Sequence, residues 1–386
     1  MYNSIIILLL VTFVHSFALP QITKPDDGSE PGVLIGDLVK EITTPTGQTI
    51  ANILLGTETA QSQDIGKAPS NGGVAGCKKS KDQCCIWYSI SADLTNSFKG
   101  PSGRCNAIAR MAIRLGFHDA GTWSKSLAAA GKDFGGADGS LVLFNEITRQ
   151  ENRGLEVIVG LAKAMFQKYK GSGISMADLI QYAATHAVVT CPLGPRTRIF
   201  VGRKDATKAA PDGLLPSVNS DADTLINLFQ DKTISPHALT ALLGAHSTSQ
   251  QFFTSPNLAK DFGKPQDTTP GVWDVSFYNE TIQPKPAPKT FRFASDSVIA
   301  KDPRSSDEWN AFIGDQSHWN SDYAEAYVRV SLLGVNNINN LTECTKTLPK
   351  AQPTFKGSTE GFVDQKKLKR RNVERGEPSF SGRTRE

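Results

Sequence analysis

Apolar residues recur at the helical interval in five stretches of the chain, and no stretch of comparable length alternates as a strand would. In RCNAIARMAIRLGFHDA, residues 104–120, Ile108, Met111, Ala112 and Leu115 mark one face of a helix. TISPHALTALLGAHS, residues 233–247, repeats the spacing with Leu239, Leu242, Leu243 and His246, which places His246 on the buried side. Ser235 suits the N-cap of that helix and Pro236 its first turn. GLEVIVGLAKAMFQKYK (154–170), SMADLIQYAATHAVV (175–189) and SDYAEAYVRVSLLGV (321–335) complete the set. The expected fold class is mainly α.

The two ends of the chain depart from this pattern. Ile5 to Val14 is an apolar run shorter than the roughly 20 residues a membrane helix needs. Ser16-Phe17-Ala18 follows it, so residues 1–18 are expected to be a secretory signal peptide. No later segment is long enough to span a bilayer, and the expectation is a secreted, extracellular protein with no membrane partner. Residues 19–76, rich in Gly, Thr, Pro and Ser and without cysteine, read as a propeptide or flexible linker. Residues 77–345 hold the helical domain, and residues 346–386 read as a disordered basic tail. From Phe362 onward the tail carries eight basic residues and four acidic ones, a difference of +4 that equals the formal charge of the whole chain. The remainder is near neutral and no nucleic-acid partner is expected; the tail reads first as a solvated segment, with contact to polyanions or clipping at Lys369-Arg370-Arg371 as the alternatives.

Six cysteines, Cys77, Cys84, Cys85, Cys105, Cys191 and Cys344, form an even set in an oxidising compartment and favour three disulfides, with the pairing open among many. Asn279-Glu280-Thr281 and Asn340-Leu341-Thr342 are N-glycosylation sequons.

The chemistry gathers around two histidines. Arg114 and His118, four residues apart, share a helix face, with Asp119 next in sequence. Downstream, the glycine turn FGGADGS (134–140) offers Asp138 and Ser140 as alternating oxygen ligands, and Asp119 can join them. After His246 the pattern returns: Ser247 follows directly, and DTTPGVWD (267–274) offers Asp267, Thr269 and Asp274 around a Pro-Gly turn. Hard oxygen sets of this kind suit Ca²⁺. Of the other histidines, His186 reads as structural, and His237 and His318 as surface residues.

In IRLGFHDA, FGGADGS, ENRGL, VGRKDATKAAPDGLLP, LLGAHS, DTTPGVWD and FASDSVIAKD, the chain resembles the secreted fungal haem peroxidases, from about Cys77 to Cys344. The resemblance implies a helical fold with one haem b between a distal and a proximal half, and two structural Ca²⁺ ions per monomeric chain. It makes Arg114, His118 and Asn152 the distal catalytic residues, with Glu146 supporting Asn152 and Phe117 lining the distal pocket. His246 becomes the proximal iron ligand and Asp296 the carboxylate behind it. One calcium set would be Asp119, Asp138, Ser140 and the Gly136 carbonyl, the other Ser247, Asp267, Thr269, Asp274 and the Val272 carbonyl. The implied disulfides are Cys77–Cys85, Cys84–Cys344 and Cys105–Cys191.

Positions that carry acidic residues in manganese-oxidising relatives are Ala107, Met111 and Phe252 here, and none of these side chains suits Mn²⁺. Where lignin-oxidising relatives carry a surface tryptophan, this chain has Ala241. The expectation is a peroxidase using hydrogen peroxide to oxidise small phenolic or aromatic donors at the haem edge. Two rivals are a catalytically inactive, calcium-stabilised binding protein on the same fold, and a hydrolase with His118-Asp119 as metal ligands.

Overall fold

All five amphipathic stretches are helical in the computed structural model, which describes residues 32–70, 72–100 and 103–356. Helices of six or more residues are α1 (Pro45–Leu54), α2 (Cys85–Phe98), α3 (Ala107–Ala120), α4 (Glu156–Tyr169), α5 (Met176–Thr190), α6 (Ala222–Gln230), α7 (Pro236–Leu243), α8 (Ser276–Ile282), α9 (Ala294–Ile299), α10 (Ser306–Ala311) and α11 (Gln316–Val330). Among the described residues the strands are two-residue pieces, Phe200–Val201 paired antiparallel with Thr342–Glu343. The mainly α expectation holds.

Two helix pairs organise the core. α3 lies along α5, and every residue of α5 is buried. The approach is close at Gly116, where a Cβ would lie 2.3 Å from the Tyr327 hydroxyl and 2.5 Å from Ala184 Cβ. Only glycine lets α3 settle there, which fixes the height of Arg114 and His118. In the second pair α7 packs on α11. Gly244 is its contact point, since a Cβ would sit 2.4 Å from the Trp319 indole and the Tyr278 hydroxyl.

Local chemistry sets the helix ends. Ser235 Oγ accepts the Ala238 N–H at 3.2 Å and Pro236 fills the first position of α7, as the sequence indicates. Beyond Leu243 the chain tightens into a 3₁₀ turn, Gly244–Thr248. His246 therefore leaves the α-helical face and is only partly buried, with 29% of its side chain exposed. α11 begins earlier than residue 321, because the Asp315 carboxylate caps it by accepting the His318 N–H at 2.9 Å.

The three disulfides are those the resemblance implies: Cys77–Cys85, Cys84–Cys344 and Cys105–Cys191. The signal-peptide assignment falls on residues outside the described ones, as does the basic run after Phe362. Two flanking assignments need correction. Within residues 19–76, the part from about 33 to 62 is not a flexible linker but a packed element. Ile50, Ile53 and Leu54 of α1 are buried, and Arg329 on α11 donates to the carbonyls of Val33 and Leu54, both at 2.9 Å. Asp37 accepts the backbone N–H groups of Ile338 and Asn339 at 2.6 and 3.2 Å. The first residues of the 346–386 tail are likewise held: Leu348 is buried, and Gln352 exchanges hydrogen bonds with Leu193 and Thr190. Ile50→Ala is therefore expected to lower the unfolding free energy by about 2–5 kcal/mol, read as a drop in the denaturation midpoint. A loosely attached segment would show no change.

Candidate active site

Arg114 and His118 project from the same face of α3, and Arg114 Nε–H donates to His118 Nε2 at 3.1 Å. On its other side His118 Nδ1 lies 2.9 Å from Asn152 Oδ1. The amide is oriented independently, because Asn152 Nδ2 donates to the Glu146 carbonyl at 2.9 Å. With Oδ1 as the acceptor, Nδ1 must carry the proton and Nε2 the lone pair. The Arg114 guanidinium is itself fixed by the carbonyls of Arg153 and Glu151, each at 2.8 Å.

The electrostatics agree with that tautomer. Burial, and next the charge of Arg114, hold the His118 imidazole well below its ordinary value of 6.5, against the pull of the Asn152 hydrogen bond. Burial also lowers the Arg114 guanidinium to about 10, so it stays charged at neutral pH. Its side chain nevertheless retains exposed surface.

Glu146 acts through its backbone. Its carbonyl orients Asn152, while its carboxylate accepts the Ala210 N–H at 2.7 Å and pairs with Arg149 at 3.1 Å. Arg149 was not singled out from the sequence, although its i,i+3 spacing from Glu146 was available as a signal. It donates to the Ala210 and Pro211 carbonyls and so ties the 202–216 loop to this network. Phe117 stacks on Phe229 with centroids 5.8 Å apart and meets the His118 ring edge-on.

His246 stands at the second centre. Its Nδ1 is 3.0 Å from Asp296 Oδ1, and Asp296 is fully buried. Phe277 and Phe293 meet the imidazole edge-on at 5.8 and 5.5 Å; sequence reading missed both. With Nδ1–H committed to a carboxylate, the Nε2 lone pair is left for a metal. The Arg153 guanidinium lies 4.3 Å over the Phe253 ring, seven residues past His246. An imidazole whose Nε2 lone pair is free, packed edge-on by Phe277 and Phe293, with an exposed arginine beside His118, suits an apolar group bearing a metal.

In each expected calcium set two carboxylates face one another, Asp119 with Asp138 and Asp267 with Asp274. Asp119 Oδ2 and Oδ1 accept the N–H groups of Gly139 and Leu141, and Asp138 Oδ1 accepts that of Ser140. The Gly136 carbonyl accepts the Asp138 N–H at 2.8 Å. Ser140 Oγ is buried without a well-formed hydrogen bond. Burial and the neighbouring Asp138 charge raise the Asp119 carboxyl well above the usual range. In the other set, Ser247 Oγ, Asp267 Oδ2 and Thr269 Oγ1 are all buried without a well-formed hydrogen bond. Burial and Asp274 raise Asp267 likewise. Asp274 Oδ1 accepts the Ser276 N–H, and Val272 is buried in the same turn. Orphaned oxygens beside paired carboxylates are the donor chemistry of a hard dication.

Among the remaining histidines, His186 is buried and bonded to Ser91, Thr95 and Thr190, which agrees with a structural role. His237 and His318 are not isolated surface residues: both are partly buried and meet Glu308 and Asp322. Sequence reading missed that cluster because its members lie up to 85 residues apart.

Comparison with known proteins bears on this arrangement. The family model described as peroxidase matches residues 90–315. Ligninase LG6 of Phanerodontia chrysosporium is 35% identical over 304 residues, covering 74% of this chain and 78% of that protein. A peroxidase of Coprinopsis cinerea is 31% identical over 308 residues, covering 74% and 82% respectively. A peroxidase of Arthromyces ramosus is 31% identical over 309 residues, with the same coverage.

Proposed function

As the chain belongs to the peroxidase family, in the fungal haem-peroxidase class that includes the ligninases, we propose that it reduces hydrogen peroxide while oxidising small phenolic or aromatic donors in one-electron steps. The observation that carries this reading is the run Arg114–His118–Asn152, which presents a neutral imidazole lone pair beside a fixed positive charge.

The family implies haem, and His246, backed by Asp296, is the residue that would hold its iron. Haem, when bound, supplies the redox centre that receives the oxidising equivalents of peroxide and passes them to the donor. The protein's part is acid–base and electrostatic. Arg114 Nε–H occupies the His118 lone pair until a peroxide proton takes its place. His118 Nε2 then accepts that proton and returns it to the departing oxygen, which leaves as water. Arg114 stabilises the negative charge that builds on that oxygen as the O–O bond lengthens. Asn152 keeps the other imidazole proton at Nδ1, so the same nitrogen serves as base and acid.

Donor choice follows from what the chain lacks. Ala107, Met111 and Phe252 offer no hard ligand for Mn²⁺, and Ala241 is buried, with its carbonyl accepting the Trp319 indole N–H at 2.9 Å. Steady-state assays with peroxide and a small phenol, with and without Mn²⁺, test this. Phenol turnover independent of Mn²⁺ is the expected result; saturable Mn²⁺ oxidation would overturn the donor assignment.

Two Ca²⁺ ions are proposed for the Asp119/Gly136/Asp138/Ser140 and Ser247/Asp267/Thr269/Val272/Asp274 sets, supported by their orphaned oxygens. One set adjoins His118 in sequence and the other adjoins His246. Chelation of Ca²⁺ should therefore lower the melting temperature and release haem together, and added Ca²⁺ should reverse both. Loss of neither would remove the calcium assignment. Secretion is proposed from residues 1–18 and the three disulfides; no helix among the described residues is long and apolar enough to cross a membrane.

A further inference from the structure

We propose that His237, Glu308, Asp322 and His318 form a third metal site, one that takes a divalent first-row transition metal such as Zn²⁺ and fastens α7, α10 and α11 together.

His237 sits in the first turn of α7, Glu308 on α10, and His318 and Asp322 one turn apart on α11. His237, Glu308 and Asp322 each bring a ligand atom to within 4.8 Å of the other two. His237 Nδ1 is 3.3 Å from Glu308 Oε2, and its Nε2 is 2.9 Å from Asp322 Oδ2. His318 Nε2 lies 3.2 Å from Asp322 Oδ2 and 3.4 Å from Glu308 Oε1.

The last of these distances is informative. Glu308 Oε1 is buried without a well-formed hydrogen bond, although His318 Nε2 is this near. The imidazole and the carboxylate are close but not aligned to share a proton. Donor atoms bound to one tetrahedral Zn²⁺ at about 2.0–2.1 Å stand about 3.3 Å apart, so the spacing suits two ligands converging on one ion.

The charge balance points the same way. The Glu308 side chain is 11% exposed and faces Asp322 across the cluster. Two carboxylates so placed repel one another, and a dication bound between them would neutralise both. Two imidazoles with two carboxylates exclude the all-oxygen preference of Ca²⁺ and Mg²⁺ and select a borderline metal. The site also differs in place from the two calcium sets: it lies at the start of α7, whose other end runs directly into the turn bearing His246.

The test uses the full-length haem-loaded protein in excess Ca²⁺, titrated with ZnCl₂ by calorimetry and by thermal melting. The expected result is one equivalent of Zn²⁺ bound, with the melting temperature raised by roughly 4 °C at about a hundredfold excess over Kd. Glu308→Gln should weaken binding at least tenfold and abolish the shift. His318→Ala, on the more exposed side, gives a second variant if Glu308→Gln folds poorly, and it too should weaken binding. Absence of Zn²⁺ binding by the wild type, or equal binding by wild type and either variant, would overturn the site.

Discussion

Replacing His118 with alanine is expected to slow the reaction with hydrogen peroxide by about 10²–10⁴-fold, the range supplied by a positioned general acid–base group, while leaving haem content unchanged. The side chain contributes through Nε2, whose lone pair is freed by the proton held on Nδ1 against Asn152. Alanine removes the acceptor and the return donor together, so both halves of the proton transfer fail. The pH profile gives an independent readout. Because burial and Arg114 depress the His118 pKa, the neutral base persists as pH falls through 6.5, and the wild-type rate should hold level there and drop only at more acid pH. Arg114→Leu removes the second of those causes, so the acid limb should move upward as the rate falls. Stopped-flow measurement across pH reads both effects; a wild-type rate that halves near 6.5 would contradict the depressed imidazole.

His246→Ala should give a chain that no longer retains haem, seen as loss of the Soret band after gel filtration. The substitution also strands Asp296, a fully buried carboxylate whose Oδ2 is already unpartnered. Leaving a buried carboxylate without its hydrogen-bond donor costs about 1–3 kcal/mol, so the variant should melt earlier as well. Added imidazole, entering the vacated space, should recover part of the haem binding by donating its N–H to the same carboxylate. Asp296→Asn separates the two effects: it keeps the ring in place and weakens its basicity, with an expected loss of about 10–100-fold in metal affinity or activity. Retention of haem by His246→Ala at wild-type affinity would move the iron ligand elsewhere.

Much of this site is legible in the sequence because its parts are local. Arg114 and His118 lie one turn apart on an apolar-backed helix, and each calcium set is mostly a short oxygen-rich turn beside a histidine. Asn152 and Asp296 are different: nothing in their own neighbourhood marks them, and they enter through resemblance. The orientation of Asn152 by the Glu146 carbonyl is a backbone contact, invisible in side-chain identity. Gly244, which opens the turn bearing His246, meets Trp319 and Tyr278, residues distant in sequence. α1 was missed for another reason. Its signals were present, Thr44 as cap, Pro45 in the first turn and Ile50, Ile53 and Leu54 on one face, but they sit in a stretch whose overall composition reads as linker. Composition averages over a window; ten residues with a cap and an apolar face are enough to dock.

The same distinction separates the two kinds of histidine. His186 is satisfied by α2 and by its own helix, with hydrogen bonds to Ser91, Thr95 and Thr190, and burial lowers it to about 3. It stays neutral and inert. His118 is also depressed, yet its lone pair meets the guanidinium of Arg114, a side chain with exposed surface. The difference between a core histidine and a working one is the partner at Nε2.

The most direct test is the absorption spectrum of the haem-loaded protein before and after an equimolar addition of hydrogen peroxide, followed by a small phenol. A Soret band that shifts with peroxide and returns with phenol is the expected result. A band that ignores peroxide would contradict the assignment of Arg114, His118 and Asn152 as working groups and favour the binding-protein alternative. A folded protein that takes up no haem would contradict His246 as the iron ligand.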